Sequence, residues 1–149
     1  MRMKKRILGL LCLSVLMLVA NVSWAYDQDA FVTTWKSPKA TELQFPLMGQ
    51  NVEIKWYKTG QEASAMTVPA TSYVLEEPFT FSVEAGTEYY IELKGDLEAV
   101  QVLTSYAELQ TIEHWGKIRW KRLNSAFKNC SSLLVKATDV PDLSRCTTL

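Results

Sequence analysis

The chain has 149 residues, with 16 Lys+Arg against 16 Asp+Glu and a single histidine, His114. All four charges in residues 1–25 are basic (Arg2, Lys4, Lys5, Arg6), so a chain beginning at Tyr26 has 124 residues, 12 basic and 16 acidic, and a formal charge of −4. That composition argues against a basic nucleic-acid binder, and one histidine leaves most metal and histidine-base chemistry without material.

In chain order, Arg2 to Arg6 read as a positive n-region and Ile7 to Ala20 as an apolar h-region. Val22-Ser23-Trp24-Ala25 places small residues where a signal peptidase reads them. Cleavage is expected after Ala25, making residues 1–25 a signal peptide. The rival reading is a membrane anchor, but the apolar run of about 14 residues is short of the ~20 that span a bilayer. No transmembrane segment is therefore expected after cleavage. Cys12 lies inside the apolar run behind Leu11, where a lipoprotein site would want a small residue, so it goes with the discarded peptide. The short, Lys-rich leader suits a bacterial protein, in which the sequon Asn129-Cys130-Ser131 carries no weight.

From Phe31 to about Leu103 the pattern has period two. Val52, Ile54 and Trp56 share one face of Asn51 to Lys58, and Glu53, Lys55 and Tyr57 the other. Phe79, Phe81 and Val83 alternate with polar residues, Ala85-Gly86-Thr87 supplies a turn, and Tyr89, Ile91 and Leu93 resume the alternation, which predicts a hairpin. Further strands are expected at Phe31 to Lys36, Thr41 to Phe45, Ser72 to Leu75 and Ala99 to Leu103. Together they predict a small antiparallel, immunoglobulin-like sandwich over residues 26–104. Trp35, Trp56, Phe79, Phe81 and Tyr89 sit on its inward positions and are expected to be core. Tyr57 and Tyr90 fall on the polar faces of their strands and are candidates for an exposed aromatic contact.

After Ser105 the period changes. Leu109, Ile112, Trp115 and Ile118 recur every three residues, followed by Leu123, Ala126, Phe127, Cys130 and Leu133, a pattern of short coil, one-turn helix and short strand that suits a solenoid. Trp120-Lys121-Arg122-Leu123 realigns with Cys146-Thr147-Thr148-Leu149, so a second copy is expected to reach only its first anchor. Cys130 and Cys146 allow a bridge in an oxidising compartment, or Cys130 is a small buried hydrophobe of the repeat.

Trp115-Gly116-Lys117-Ile118-Arg119-Trp120, Leu123-Asn124-Ser125-Ala126-Phe127-Lys128-Asn129-Cys130-Ser131-Ser132-Leu133 and Ala137-Thr138-Asp139-Val140-Pro141-Asp142-Leu143-Ser144 resemble the BspA-like leucine-rich-repeat surface proteins of bacteria. Phe31-Val32-Thr33-Thr34-Trp35 is similar to the opening of the β-domain that precedes such repeats. The resemblance implies a polycystic-kidney-disease (PKD)-like β-sandwich followed by a partial leucine-rich-repeat (α/β solenoid) unit, here residues 105–149. It implies display at the cell surface, in the periplasm or outside the cell. It also implies binding of a protein or matrix partner through the repeat, and no catalysis. The Trp-Gly-Asp-Gly of that β-domain is replaced by Lys55-Trp56-Tyr57-Lys58, so no cation site carries over. A lone repeat cannot bury its own apolar stripe; Leu109, Ile118, Phe127 and Leu133 must pack on the sandwich, on a partner, or stay partly exposed.

Other chemistry finds little support. His114 has no Gly-x-Ser-x-Gly nucleophile to serve, and the cysteines, acids and glycines form no zinc, calcium or phosphate motif. No cofactor is expected. Lys117, Arg119, Lys121, Arg122 and Lys128 surround Ile118 and Trp120; they read as the solvent face of a half-buried strand or as a patch for an anionic surface glycan. Three readings follow: an exported adhesion-type binding protein, a truncated repeat protein without an independent task, and a free-standing carbohydrate-binding or inhibitor β-module.

Overall fold

The computed structural model describes residues 26–149; the expected signal peptide lies outside the described residues. The described chain is mainly β. Its strands are β1 (Phe31–Lys36), β2 (Thr41–Phe45), β3 (Leu47–Lys58), β4 (Met66–Tyr73), β5 (Phe79–Val83), β6 (Glu88–Val100), β7 (Leu109–His114) and β8 (Leu134–Val135), with one 3₁₀ turn at Glu62–Ser64. They form a six-stranded sheet in the order β4-β3-β6-β1-β7-β8 and a two-stranded sheet of β2 and β5. Pairing is antiparallel except for β7 with β8, which is parallel.

Alternation is what commits these segments. Phe31, Thr33 and Trp35 of β1 face inward with Ile54 of β3 and with Ile91 and Leu93 of β6, and the small sheet supplies Leu43, Phe45, Phe79, Phe81 and Val83. Rings join the two sheets: Trp35 meets Phe45 at 4.9 Å and Phe81 at 5.6 Å, and Trp56 meets Phe79 at 5.3 Å between centroids. Each fully buried aliphatic or aromatic side chain contributes ~1.5–3 kcal/mol, so this cluster dominates the stability of a small domain.

Long β3 and β6 run antiparallel from Leu47 opposite Val100 to Lys58 opposite Tyr89, with a bulge at Asn51. Asn51 takes φ 53°, and Gly95 faces it at φ 103°. A Cβ on Gly95 would lie 2.0 Å from the Asn51 carbonyl oxygen, so the bulge requires glycine there.

Three strand expectations are corrected. Phe79–Val83 and Tyr89–Leu93 do not form a hairpin: β5 pairs with β2, and β6 pairs with β1 and β3. The Ala85-Gly86-Thr87 turn instead carries the chain from one sheet to the other, because alternation reports which face is buried and not which strand is the neighbour. The strand expected at Ser72 to Leu75 is the tail of β4, which starts at Met66 and carries Pro69 on its exposed stretch. The strand expected at Ala99 to Leu103 is the end of β6.

Residues 105–149 continue the large sheet. β7 pairs antiparallel with β1, and the chain then makes one coil and returns as β8 on the far edge of β7. Parallel contacts tie the two coils together: Thr111 with Leu134, Ile112 with Val135, Arg119 with Asp142, and Arg122 with Thr148. The Gly116 N–H donates to Asp139 Oδ2 across 23 residues, whereas the Thr147 N–H and hydroxyl reach the Lys121 carbonyl across 26. The 26-residue step seen in the sequence thus holds at Lys121 and Arg122, and a 23-residue step holds before them. The second coil is longer by the loop between Asp142 and Thr148.

The helical turn expected after Leu123 is absent. Among the described residues there is no α-helix, and Leu123 to Leu133 is a chain of tight turns, closed by N–H groups of Ala126, Lys128, Cys130 and Leu133 on carbonyls three residues earlier. Ser125 at φ 55° and Asn129 at φ 66° adopt left-handed backbone, which ends any right-handed helix locally.

Candidate functional site

The first coil is built onto the sheet. Leu109, Ile112, Ile118, Trp120 and Ala126 are buried in the common core, while Trp115, Leu123, Phe127, Cys130 and Leu133 are half-buried against it. Trp120 stands edge-on to Phe31 at 5.0 Å, and the N–H groups of Lys121 and Arg122 both donate to the Glu98 carbonyl of β6. Gly116 at φ 66° comes so close to β1 that a Cβ would be 2.4 Å from the Ala30 carbonyl. Of the options expected for the apolar residues of this segment, Leu109 and Ile118 therefore pack on the sheet.

The second coil is not covered in this way. Leu134, Val135, Val140, Leu143 and Leu149 are exposed, Val140 and Leu149 by more than four-fifths. Each lies on a coil whose inner edge is spent on the first coil and whose outer edge, beginning at β8, has no partner strand among the described residues. An open strand edge with apolar side chains is a template for association.

The aromatic candidates are placed differently from expectation. Tyr57 is only 3% exposed, its ring stacked on Tyr90 at 5.6 Å and its hydroxyl donating to Glu92 Oε1 at 2.7 Å. Tyr90 is half-buried and stacks in turn on Tyr26, which lies against His114. Burial followed by the carboxylate of Glu92 pushes the Tyr57 phenol well up, and burial pushes that of Tyr90 up to about 12. Polar neighbours in sequence did not make these positions wet; the outer face of the large sheet is a packed row of rings and buried polar groups. Tyr57 is thus not an exposed contact.

His114 serves this frame. Its Nδ1 is 3.2 Å from the Ala30 carbonyl and its Nε2 3.3 Å from Asp139 Oδ2, and Asp139 also accepts the N–H groups of Trp115 and Gly116. Asp139 so pins the start of the second coil to the corner of the first. Cys130 and Cys146 are both free thiols, and burial pushes the Cys130 thiol up.

The basic cluster is divided by the fold. Arg122 turns to the sulfur of Met48 at 3.6 Å, Lys121 pairs with Glu98 at 3.3 Å, and Lys128 is exposed on the turns. Lys117 and Arg119 instead line a cleft of about 330 Å³ with Gln50, Gly95, Asp96, Leu97, Glu98 and Arg145. Its far wall is the bulged stretch of β3 and β6. The sequence reading missed Arg145; the 26-residue step would set it beside Arg119, but in the structure Arg119 pairs with Asp142.

Among the described residues no group of three or more His, Cys, Asp or Glu is arranged to hold a metal ion, and no helix is long and apolar enough to cross a membrane. No family model, curated protein or solved structure matches the chain.

Proposed function

We propose that this protein is an exported, non-catalytic binding protein of the bacterial surface or its surroundings: a small β-sandwich whose large sheet runs on into the first coils of a BspA-like leucine-rich repeat, and which works by contact through that repeat segment. The observation that carries the reading is the second coil, where Leu134, Val135, Val140, Leu143 and Leu149 stand exposed beside a strand edge that pairs with no strand among the described residues. Parallel stacking at steps of 23 and 26 residues supports the solenoid part, since one coil resting on the next is what a repeat array does. The reading of residues 1–25 as a leader supports export.

Two measurements test it. In the native host the protein is expected outside the cytoplasm with Tyr26 as its first residue; full-length protein held in the cytoplasm would refute export. Binding of the purified chain to immobilised laminin, fibronectin and collagen is expected to weaken about tenfold in Leu134→Lys/Val135→Lys, the loss of two apolar contacts. Binding unchanged in that variant would refute the contact surface.

A further inference from the structure

We propose that the cleft lined by Lys117, Arg119 and Arg145 binds a carboxylate-bearing sugar unit of an acidic polysaccharide. Its volume of about 330 Å³ is at the small end of ligand sites and suits one or two sugar rings. Three cations converge on it from separate places: Lys117 and Arg119 from the first coil, and Arg145 from the loop by which the second coil exceeds the first.

The carboxylates nearby are largely engaged. Glu98 is paired with Lys121, Asp29 takes Lys117 at 2.9 Å, and Asp142, which feels the charge of Arg119, is held by the Ser144 N–H at 2.9 Å. Among the described residues neither Arg119 nor Arg145 forms an ion pair, and both are exposed. Two planar guanidinium forks without a carboxylate partner match a planar carboxylate.

The remaining wall narrows the ligand. Asp96, which accepts a hydrogen bond from Asn51 at 3.2 Å, and Gln50 also line the cleft. Acceptors beside cations suit a molecule that presents hydroxyl donors together with an acid. A DNA backbone has no such hydroxyl donors, and the cleft holds no aromatic ring on which to stack a base of either nucleic acid.

This inference goes beyond the contact reading, since Lys117 and Arg119 lie on the first coil and the cleft includes none of the exposed apolar residues of the second, although Arg145 comes from its loop. The test is calorimetric titration with trigalacturonate, with a neutral galactose trisaccharide and with a sulfated heparin-derived oligosaccharide. An amide shift map run alongside locates binding at Gly95 and Gln50. Trigalacturonate is expected to bind and the neutral sugar not. Arg119→Ala/Arg145→Ala is expected to weaken binding about tenfold or more, the loss of charge-assisted hydrogen bonds. Lys128→Ala, outside the cleft, is expected to leave it unchanged, and both variants to keep the parent's unfolding midpoint because the replaced side chains are exposed. No binding of trigalacturonate, equal binding of the neutral sugar, binding of the sulfated oligosaccharide alone, or full affinity in the double arginine variant would each overturn the assignment. Matrix-protein binding that survives the double arginine variant separates this site from the second-coil surface.

Discussion

Ile112 and Val135 occupy equivalent places on successive coils, are of nearly the same chemistry, and pair directly across the β7–β8 ladder; the first is 1% exposed and the second 59%. The same holds along both coils. Thr111 is buried and its partner Leu134 is not, and fully buried Trp120 aligns with Cys146, which is only partly buried. Each coil buries what its neighbour covers. The first coil lies between β1 and the second coil, and among the described residues the second has a neighbour on one side only. The opposite edge of the sheet differs again: β4 carries Pro69 and polar Thr67, Thr71 and Ser72, which blunt strand addition, whereas β8 offers Leu134 and Val135 with one lysine after them.

That contrast is broken most directly by truncating the matched pair. Ile112→Ala is expected to cost about 2–5 kcal/mol, the loss of a fully buried aliphatic side chain and the cavity it leaves. Val135→Ala is expected to stay within ~0.5 kcal/mol, as at other exposed positions. Urea unfolding followed by tryptophan fluorescence reads both. A cost at Val135 approaching that at Ile112 would show that the second coil is covered in solution.

A smaller effect tests how the first coil meets the sheet. Gly116→Ala forces a Cβ to within 2.4 Å of the Ala30 backbone at φ 66° and is expected to cost about 1–3 kcal/mol. Asp139, the residue 23 positions on that caps the Gly116 N–H, is not among the residues with left-handed backbone. A close approach to β1 exists for the first coil alone, and an Ala at position 116 that left stability unchanged would mean the corner is not seated as described.

How much of this was legible beforehand follows from the range of each signal. Strand positions in β1, β2, β3 and β5 were readable because alternation is local, and the 26-residue step was readable at Lys121 and Arg122, where Trp120 to Leu123 and Cys146 to Leu149 repeat; the 23-residue step of the rest was not. Pairing partners were not. Phe79–Val83 carries the same alternation whether it joins β6 or β2, and only the packing of Trp35 and Trp56 on Phe81 and Phe79 decides it. Tyr57 looked wet beside Lys55 and Lys58, but Tyr90 from β6 covers it, a contact that no window along the chain contains. The cleft failed for the same reason: Arg145 is far from Lys117 in sequence and joins it only when the second coil folds back.

The smallest effect expected is electrostatic and separates the two regions by pH. The Asp27 carboxyl is held below the usual carboxylate range first by the hydrogen bond from Lys94 Nζ at 2.7 Å and then by the Asp29 N–H at 2.9 Å. A depressed folded value means its stabilisation is complete above the ordinary carboxylate value of about 3.9 and is lost as pH falls through the folded one. The Lys94 ammonium is raised by the same bond, so its share is complete below the ordinary lysine value of about 10.4 and is lost only as pH rises past the raised one. Because both side chains are about two-fifths exposed, solvent screening leaves the pair worth ~0.5 kcal/mol or less. Asp27→Asn is expected to flatten the acid limb of the urea-midpoint curve by that amount. Asp142 on the second coil is held low by its hydrogen bonds from Ser144 and then by Arg119. Its protonation loosens the loop that carries Arg145. As pH falls through that lowered value the Ser144 amide is therefore expected to exchange faster, while the Lys121 amide, which donates to the Glu98 carbonyl of β6, keeps its protection. Equal loss of protection at both would mean that the two coils unfold together and that the second depends on the first for more than its inner edge.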